Sequence, residues 1–408
     1  MWRAAVLAAQ PAVCLPGHWP QRPAGRLAII ACGKAAGPMA AAAACHYQGG
    51  YEGLVIRPDE PAGRGDEIPG FRNCPASHPV PDERSVAAAE AALALASSLA
   101  PDDLLLVLLS GGGSALMCLP ATGVSLEQKQ LLTRQLLSCG ATIEDINCVR
   151  KQLSRIKGGR LARACRTPVV TLAISDVPGD DPGLIASGPT AENHSSPQDA
   201  RGALVRAGIV VTAAIDEALH GSADERPGQC IPAGRDEYRI VAGGMTALSS
   251  AADWSRCHGI EPVVLGDSVQ GEAREVARSQ ARMALELAAT GRTHCLLSGG
   301  ETTVTLEDSP GRGGRNTEYA LALALALDGR PGIWALAADT DGVDGSGGHS
   351  GALVEPDTLR HAARAGLDAA DFLRRHDSAS FFERVGGLLA DGPTGTNVND
   401  FRAILVNA

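Results

Sequence analysis

Short apolar runs that end in glycine and pass straight into a helix-forming stretch constrain this chain most. Leu27 to Cys32 is followed by Gly33 and the Ala-rich stretch Lys34 to Cys45. Leu104 to Leu109 runs into Ser110-Gly111-Gly112-Gly113-Ser114, and Pro168 to Ile174 runs into Ser175-Asp176. The runs hardly alternate between apolar and polar residues. Strands buried on both faces read this way, as in a parallel sheet covered by helices. Helical stretches fall between them, at Glu83 to Ala100, Ser125 to Ser138 and Gly159 to Cys165. The pattern predicts an α/β fold with crossover helices. Aromatic residues are only 3% of the chain, so Ala, Leu, Val and Ile must build the core.

At 408 residues the chain is long enough for two domains. Around Gly221 to Asp236 the composition shifts to Asp, Glu, Arg, Pro and Gly. A boundary there gives expected domains 1–230 and 231–408. The pattern then restarts, with strands expected at Tyr238 to Ala242, Pro262 to Leu265, His294 to Leu297, Ile333 to Ala338 and Ala403 to Val406. Helices are expected at Thr246 to His258, Glu272 to Ala289 and Thr317 to Leu327. Leu108 to Gly112 is echoed by Leu296 to Gly300, which suggests similar turns at two strand ends.

The net charge of -10 argues against sequence-independent nucleic-acid binding. The 11 cysteines are scattered without a Cys-x-x-Cys pair, which fits reduced thiols in the cytoplasm better than disulfides or zinc. No apolar run reaches the length of a membrane span. Met1 to Gln10 holds one Arg and no evident cleavage site before Pro11, and reads as a helix rather than a signal peptide.

In open α/β sheets ligands bind beyond the carboxyl ends of the strands. Ser110 to Ser114 offers converging amides and two hydroxyls for phosphate, or is a tight turn. Lys34, at the end of the first strand, is either solvated or placed to neutralise a transferring phosphoryl group. Arg150-Lys151 and Arg155 to Arg160, with Lys157 before two glycines, form a basic cluster that attracts an anion or faces water. Asp176 to Asp181 and Asp339-Thr340-Asp341-Gly342-Val343-Asp344-Gly345 follow strands. Carboxylates there can hold Mg²⁺, accept a proton, or simply make turns. Arg315 and Asn316 open a helix and suit a carboxylate or phosphate, unless Asn316 is only its cap. Gly392 to Asp400, with Asn397 and Asn399, offers further donors or is a plain loop. The P-loop, protein-kinase, G-x-S-x-G, H-E-x-x-H and G-x-G-x-x-G signatures are all missing.

Seven blocks in order resemble the class II glycerate 2-kinases. They are Ala31 to Ala36, Leu109 to Leu116, Ile146 to Ala162, Asp176 to Thr190, Ser298 to Tyr319, Ala337 to Gly345 and Gly392 to Asp400. Cys148 stands where the family more often has Ala. The resemblance implies ATP-dependent phosphorylation of D-glycerate to 2-phosphoglycerate, with Mg²⁺. It also implies a larger Rossmann-like, doubly wound N-terminal domain, a smaller C-terminal domain called MOFRL, and a cleft between them. Lys34 and Arg315 fall where the family keeps its cleft lysine and arginine. On this reading Ser110, Gly111, Gly112, Gly113 and Ser114 bind ATP phosphates, and Asp176 takes the proton. Lys157, Asn316, Asn397 and Asn399 bind substrate, and Asp339 and Asp341 bind metal. A hydroxypyruvate or tartronate reductase is the alternative, and related sequences carry that label. Partners are small molecules, with no nucleic acid or membrane. The oligomeric state is left open, a homo-oligomer included.

Overall fold

The computed structural model describes residues 1–59, 67–221, 236–306, 310–345 and 348–407. The chain divides into two compact units, Cys14–Val241 and Met1–Val13 with Ala242–Ala408. The division at 241/242 lies beyond the compositional shift. The first thirteen residues group with the C-terminal unit, unlike the expected 1–230 domain.

In the unit Cys14–Val241 six strands form one sheet: β1 (Leu27–Cys32), β2 (Tyr51–Pro58), β3 (Phe71–Ala76), β4 (Leu104–Leu109), β5 (Val169–Ile174) and β6 (Asp236–Ala242). Their order is β3-β2-β1-β4-β5-β6, the order of a Rossmann sheet. The pairs β1–β2, β2–β3, β1–β4 and β4–β5 are parallel. From β1 the chain winds outward to β2 and β3, then returns to the other side of β1. The switch point therefore lies between the carboxyl ends of β1 and β4. Every residue of β1, β4 and β5 is buried, as their unbroken apolar runs predict. Tyr238 to Ala242 is a strand as expected, but it closes this first sheet rather than starting the second.

The long crossover from β4 to β5 carries helices with good sequence signals at their starts. Ser125 caps Leu126–Ser138 and exchanges bonds with Gln128 in a capping box. Thr142 caps Ile143–Gln152 by accepting from the Asp145 amide. Leu132, Leu136, Ile146, Val149 and Leu153 pack with Ala203, Leu204 and Leu219 into a satellite core of the same unit.

The other unit holds β7 (Glu261–Val264), β8 (Val269–Glu272), β9 (His294–Thr303), β10 (Ile333–Asp339), β11 (Gly351–Val354), β12 (Leu388–Leu389) and β13 (Asp400–Val406). The order is β12-β11-β10-β13-β9-β7, with β8 also paired to β9. β13 is antiparallel to both β9 and β10. The carboxyl ends of β9 and β10 and the start of β13 therefore share one edge, where Asp339, Asp400 and Gly300 lie in register. The helix Arg315–Leu327 is buried almost all round by the helix Ala273–Ala288, Phe372, Phe381 and Phe382. The expected helix at the chain start spans Trp2–Ala8 and packs on the helix Gly244–Cys257. Ser250 donates to Ala4 O at 3.0 Å, and Thr396 to Ala9 O at 2.7 Å.

The echo of Ser110-Gly111-Gly112 does not repeat the turn. Ser298, Gly299 and Gly300 stay inside β9, because β13 and β8 continue to pair with it there.

Candidate functional site

The two strand-end loops at the switch point lock together. The Lys34 amide donates to Gly111 O at 2.8 Å, and the Ala35 amide to Ser110 Oγ at 3.0 Å. Gly33 has a φ of +130°, and a Cβ there would stand 2.2 Å from Ser110 Oγ. Only glycine allows this approach. Ser110 is fully buried and spends its oxygen on this clamp, so the expectation that it faces a phosphate is corrected.

The next four residues differ. The amides of Gly111, Gly112, Gly113 and Ser114 have no acceptor among the described residues. Four successive unsatisfied N–H groups in a turn form an anion-binding concavity. Lys34, an exposed residue, and His78 border it. A Cβ on Gly112 would lie 3.2 Å from the His78 ring and 3.3 Å from Lys34 Cγ. Gly112 also has a φ of +82°. Gly112→Ala therefore strains the loop by about 1–2 kcal/mol and crowds its open face. We expect its affinity for inorganic phosphate, the simplest oxyanion probe, to fall by about tenfold or more, the scale of one lost charge-assisted contact. An unchanged affinity would show that the loop does not bind anions.

Lys157 supports this loop and is not exposed to a ligand. It is 1% exposed, and its ammonium donates to Ser114 O at 2.7 Å and Met117 O at 3.0 Å. The expected substrate contact is corrected accordingly. Burial pushes its pKa down to about 8. Between pH 8 and the unfolded value near 10.4, the unfolded chain binds more protons than the folded one. Stability from this residue therefore rises with pH across that window. Denaturation of wild type and Lys157→Met over a pH series should show wild type gaining on the variant above pH 8.

The sequence reading missed a strained turn beside the loop. Ala186, Ser187 and Gly188 have φ of 51°, 60° and 59°. Two consecutive non-glycine residues in that region are costly and need outside support. Gly158 and Gly159 supply it, their amides donating to Ser187 O at 3.1 Å and Gly188 O at 2.7 Å. Ser187 Oγ bonds Asn147 Oδ1 at 2.6 Å and Ser114 Oγ at 2.7 Å. No single residue signals this turn, although the blocks Ile146 to Ala162 and Asp176 to Thr190 contain it. Asp176 follows β5 and is half-buried.

In the other unit the shared strand edge gathers charge. Arg315 Nε donates to Asp400 at 2.8 Å, Nη2 to Asp339 at 2.8 Å, and Nη1 to Glu301. Burial works against its charge, but Asp400, Asp339 and Glu301 outweigh it and raise its pKa. Asp400 is fully buried and also accepts from Asn316 Nδ2 at 2.7 Å and from Arg402. An anion reaching Arg315 must displace a carboxylate, and Glu301 is the most exposed of the three.

Asn316 is fully buried, so its expected substrate contact is corrected. Asp344 takes the amides of Asn316 and Thr317 at 3.0 and 2.9 Å and thereby occupies the start of the helix Arg315–Leu327. Asn397 and Asn399 shape their own loop. The Asn399 amide donates to Asn397 Oδ1 at 3.1 Å, and Thr340 Oγ1 donates to Asn399 O at 2.6 Å. One Asp339 oxygen accepts from Arg315 and the other from the Asp341 amide, so the guanidinium stands where the expected metal would sit. Burial, then Asp341 and Asp400, push its pKa well above the ordinary carboxylate range. Among the described residues no group of three or more His, Cys, Asp or Glu is arranged to hold a metal ion. Glu301 was not read as a site residue. Asp344 and Asp400 lie in the runs Asp339 to Gly345 and Gly392 to Asp400, where the acidic residues were visible but their structural role was not.

Residues 1–220 match the model of DUF4147, a domain of unknown function, and residues 294–400 match the MOFRL family. A chain of Agrobacterium vitis, provisionally named a hydroxypyruvate reductase, is 44% identical over 99% of this chain and 92% of its own. The glycerate 2-kinase of Pyrococcus horikoshii is 35% identical over 94% of this chain and 88% of its own. The crystal structure of a glycerate kinase from Thermotoga maritima matches with a TM-score of 0.89 at 36% identity, covering 99% of this chain and 97% of that one.

Proposed function

The chain belongs to the glycerate 2-kinase family built from DUF4147 and MOFRL domains, and from that premise we propose that it moves the γ-phosphoryl group of ATP to the C2 hydroxyl of D-glycerate. The products are 2-phosphoglycerate and ADP. The observation that carries the reading is the row of four unsatisfied amides at Gly111 to Ser114, beside Lys34 at the switch point.

In this proposal the amides hold ATP phosphate oxygens. Lys34 offsets the charge that develops as the C2 oxygen attacks in line. Phosphoryl transfer asks mainly for such positioning and charge stabilisation. Asp176 accepts the hydroxyl proton. Arg315 pairs with the glycerate carboxylate or the γ-phosphate, with Glu301 giving way. Each Asp339 oxygen already accepts one bond, one of them from the Arg315 guanidinium, whose positive charge opposes a resident cation there. Mg²⁺ belongs to the proposal as part of the incoming MgATP, and no step is derived through it.

A nicotinamide-dependent reductase is the second reading, because the sheet order is that of dinucleotide-binding folds. There the pyrophosphate rests on the amides after the first strand. In this chain the Lys34 and Ala35 amides already bond Gly111 O and Ser110 Oγ. The unsatisfied amides follow β4 instead.

The test is an ATP-dependent assay with D-glycerate in which phosphorus NMR identifies the product. We expect 2-phosphoglycerate, and no loss of NADH absorbance with hydroxypyruvate. Formation of 3-phosphoglycerate, or steady NADH oxidation, refutes the proposal.

A further inference from the structure

The turn at 186–188 carries a strain that its own backbone bonding does not explain. Ala186 and Ser187 stand at φ of 51° and 60°, where a side chain is strained and glycine is not. The bonds that support the turn from outside are main-chain ones, from the Gly158 and Gly159 amides to Ser187 O and Gly188 O. Glycine at 187 would keep both without the strain. A residue held in such a conformation by its surroundings points to a task for its side chain.

That side chain is fully buried and belongs to a hydrogen-bond chain with a fixed direction. Ser187 Oγ donates to Asn147 Oδ1 at 2.6 Å. A hydroxyl has one proton to give. In the 2.7 Å bond between Ser114 Oγ and Ser187 Oγ, Ser114 is therefore the donor. The order runs from Ser114 to Ser187 to Asn147. Ser114 has no hydroxyl proton left for a phosphate, and its amide is the donor it offers there.

Ala186 and Ser187 grip one peptide unit of the 111–114 loop from both ends. A Cβ on Gly113 would stand 2.9 Å from Ala186 Cβ, so that methyl group already rests on Gly113. Ser187 holds the Ser114 hydroxyl on the other side. Between them lies the peptide joining Gly113 to Ser114, which carries the fourth unsatisfied amide. Lys157 Nζ fixes the next carbonyl, Ser114 O, at 2.7 Å. All of these groups lie in the unit Cys14–Val241.

We propose that Ser187 is a positioning residue for this loop: its left-handed turn aims a hydroxyl at Ser114 and so holds the fourth amide in place for a phosphate oxygen. The strain follows from two demands on one residue. Its carbonyl meets the Gly158 amide at 3.1 Å while its side chain reaches Ser114 and Asn147. The inference deepens the phosphate role given to the loop above and rests on it.

The test separates the hydroxyl from the backbone. Inorganic phosphate is titrated by calorimetry into the full chain, and thermal melts are taken on the same preparations. Ser187→Gly removes the hydroxyl and relieves the left-handed strain, whereas Ser187→Ala removes the hydroxyl and keeps the strain. The glycine variant should therefore melt above the alanine variant. Both should bind phosphate about tenfold or more weakly than wild type, the scale of one lost charge-assisted hydrogen bond, and to the same degree. A merely structural turn would give affinities that follow the melting points instead. Ser114→Ala reports from the other end of the bond. It should lose the same factor, and adding Ser187→Gly to it should lose no more. Additive losses in the double variant, or affinity in the Ser187 variants that equals or exceeds wild type, overturn the inference alone. Absence of binding by wild type overturns it together with the phosphate role of the loop. Neither result depends on turnover, so a failed glycerate assay is a separate outcome.

Discussion

Arg315→Ala should abolish turnover and also weaken the fold. The three carboxylates around this residue lose their shared counter-ion, and Asp400 and Asp339 are too buried to be hydrated instead. Breaking a buried pair from one side leaves uncompensated charge, at a cost of about 3 kcal/mol or more. The C-terminal unit should therefore melt earlier even if the reading of its chemistry is wrong. The two effects can be separated. Adding Glu301→Gln removes one of the stranded charges, and Glu301 is about half exposed, so little else is disturbed. The double variant should regain part of the lost stability and none of the activity. Arg315→Lys keeps a cation but cannot fork to three acceptors. It should fold better than the alanine variant and remain nearly inactive. Substantial turnover in the double variant would free Arg315 from any role in catalysis.

Lys34→Ala should spare the clamp between the two switch-point loops while turnover falls by about 10²–10³, borrowing the scale of one lost charge-stabilising donor. Lys34 is exposed, and its amide, not its side chain, makes the bond that locks the two switch-point loops. Truncation therefore spares the clamp between Gly33 and Ser110. Its Cγ lies over Gly112, beside the unsatisfied amides, so the lost ammonium acts where phosphoryl charge develops. The loss should appear in kcat more than in KM, because that charge is largest in the transition state. Thermal melts and steady-state kinetics on the same preparation decide the matter. A drop confined to KM for ATP would make Lys34 a binding residue only.

The first sheet was legible because its central strands are buried on both faces, so their unbroken apolar runs are hard to mistake. Its outer strands β2 and β3 were not. β2 is half-buried at its ends, and β3 reads Phe71-Arg72-Asn73-Cys74-Pro75-Ala76, mostly polar or turn-like residues at an edge. The glycines at 111–113 and Lys34 were visible, since backbone freedom and charge are written in residue type. The inward or outward facing of a polar side chain is not. Ser110, Lys157 and Asn316 have the composition of ligand-binding groups, yet their side chains turn to the backbone of Ala35, the backbone of Ser114 and the carboxylate of Asp400. Arg315 was recognised, but its three acidic partners come from β9, β10 and β13 and meet only through strand order. Ala186 and Ser187 gave no sign of their left-handed conformation, because tertiary bonds from Gly158 and Gly159 impose it.

The helix Trp2–Ala8 belongs to the unit that the chain from Ala242 onward completes. On the ribosome its partner Gly244–Cys257 follows only after the whole intervening sheet has been made. At about 5–20 residues per second, that delay is roughly 10–50 s. Trp2, Ala5 and Val6, destined for burial, spend it uncovered. The nascent chain thus carries a small greasy flag, a natural handle for a holding chaperone until the second sheet arrives to cover it.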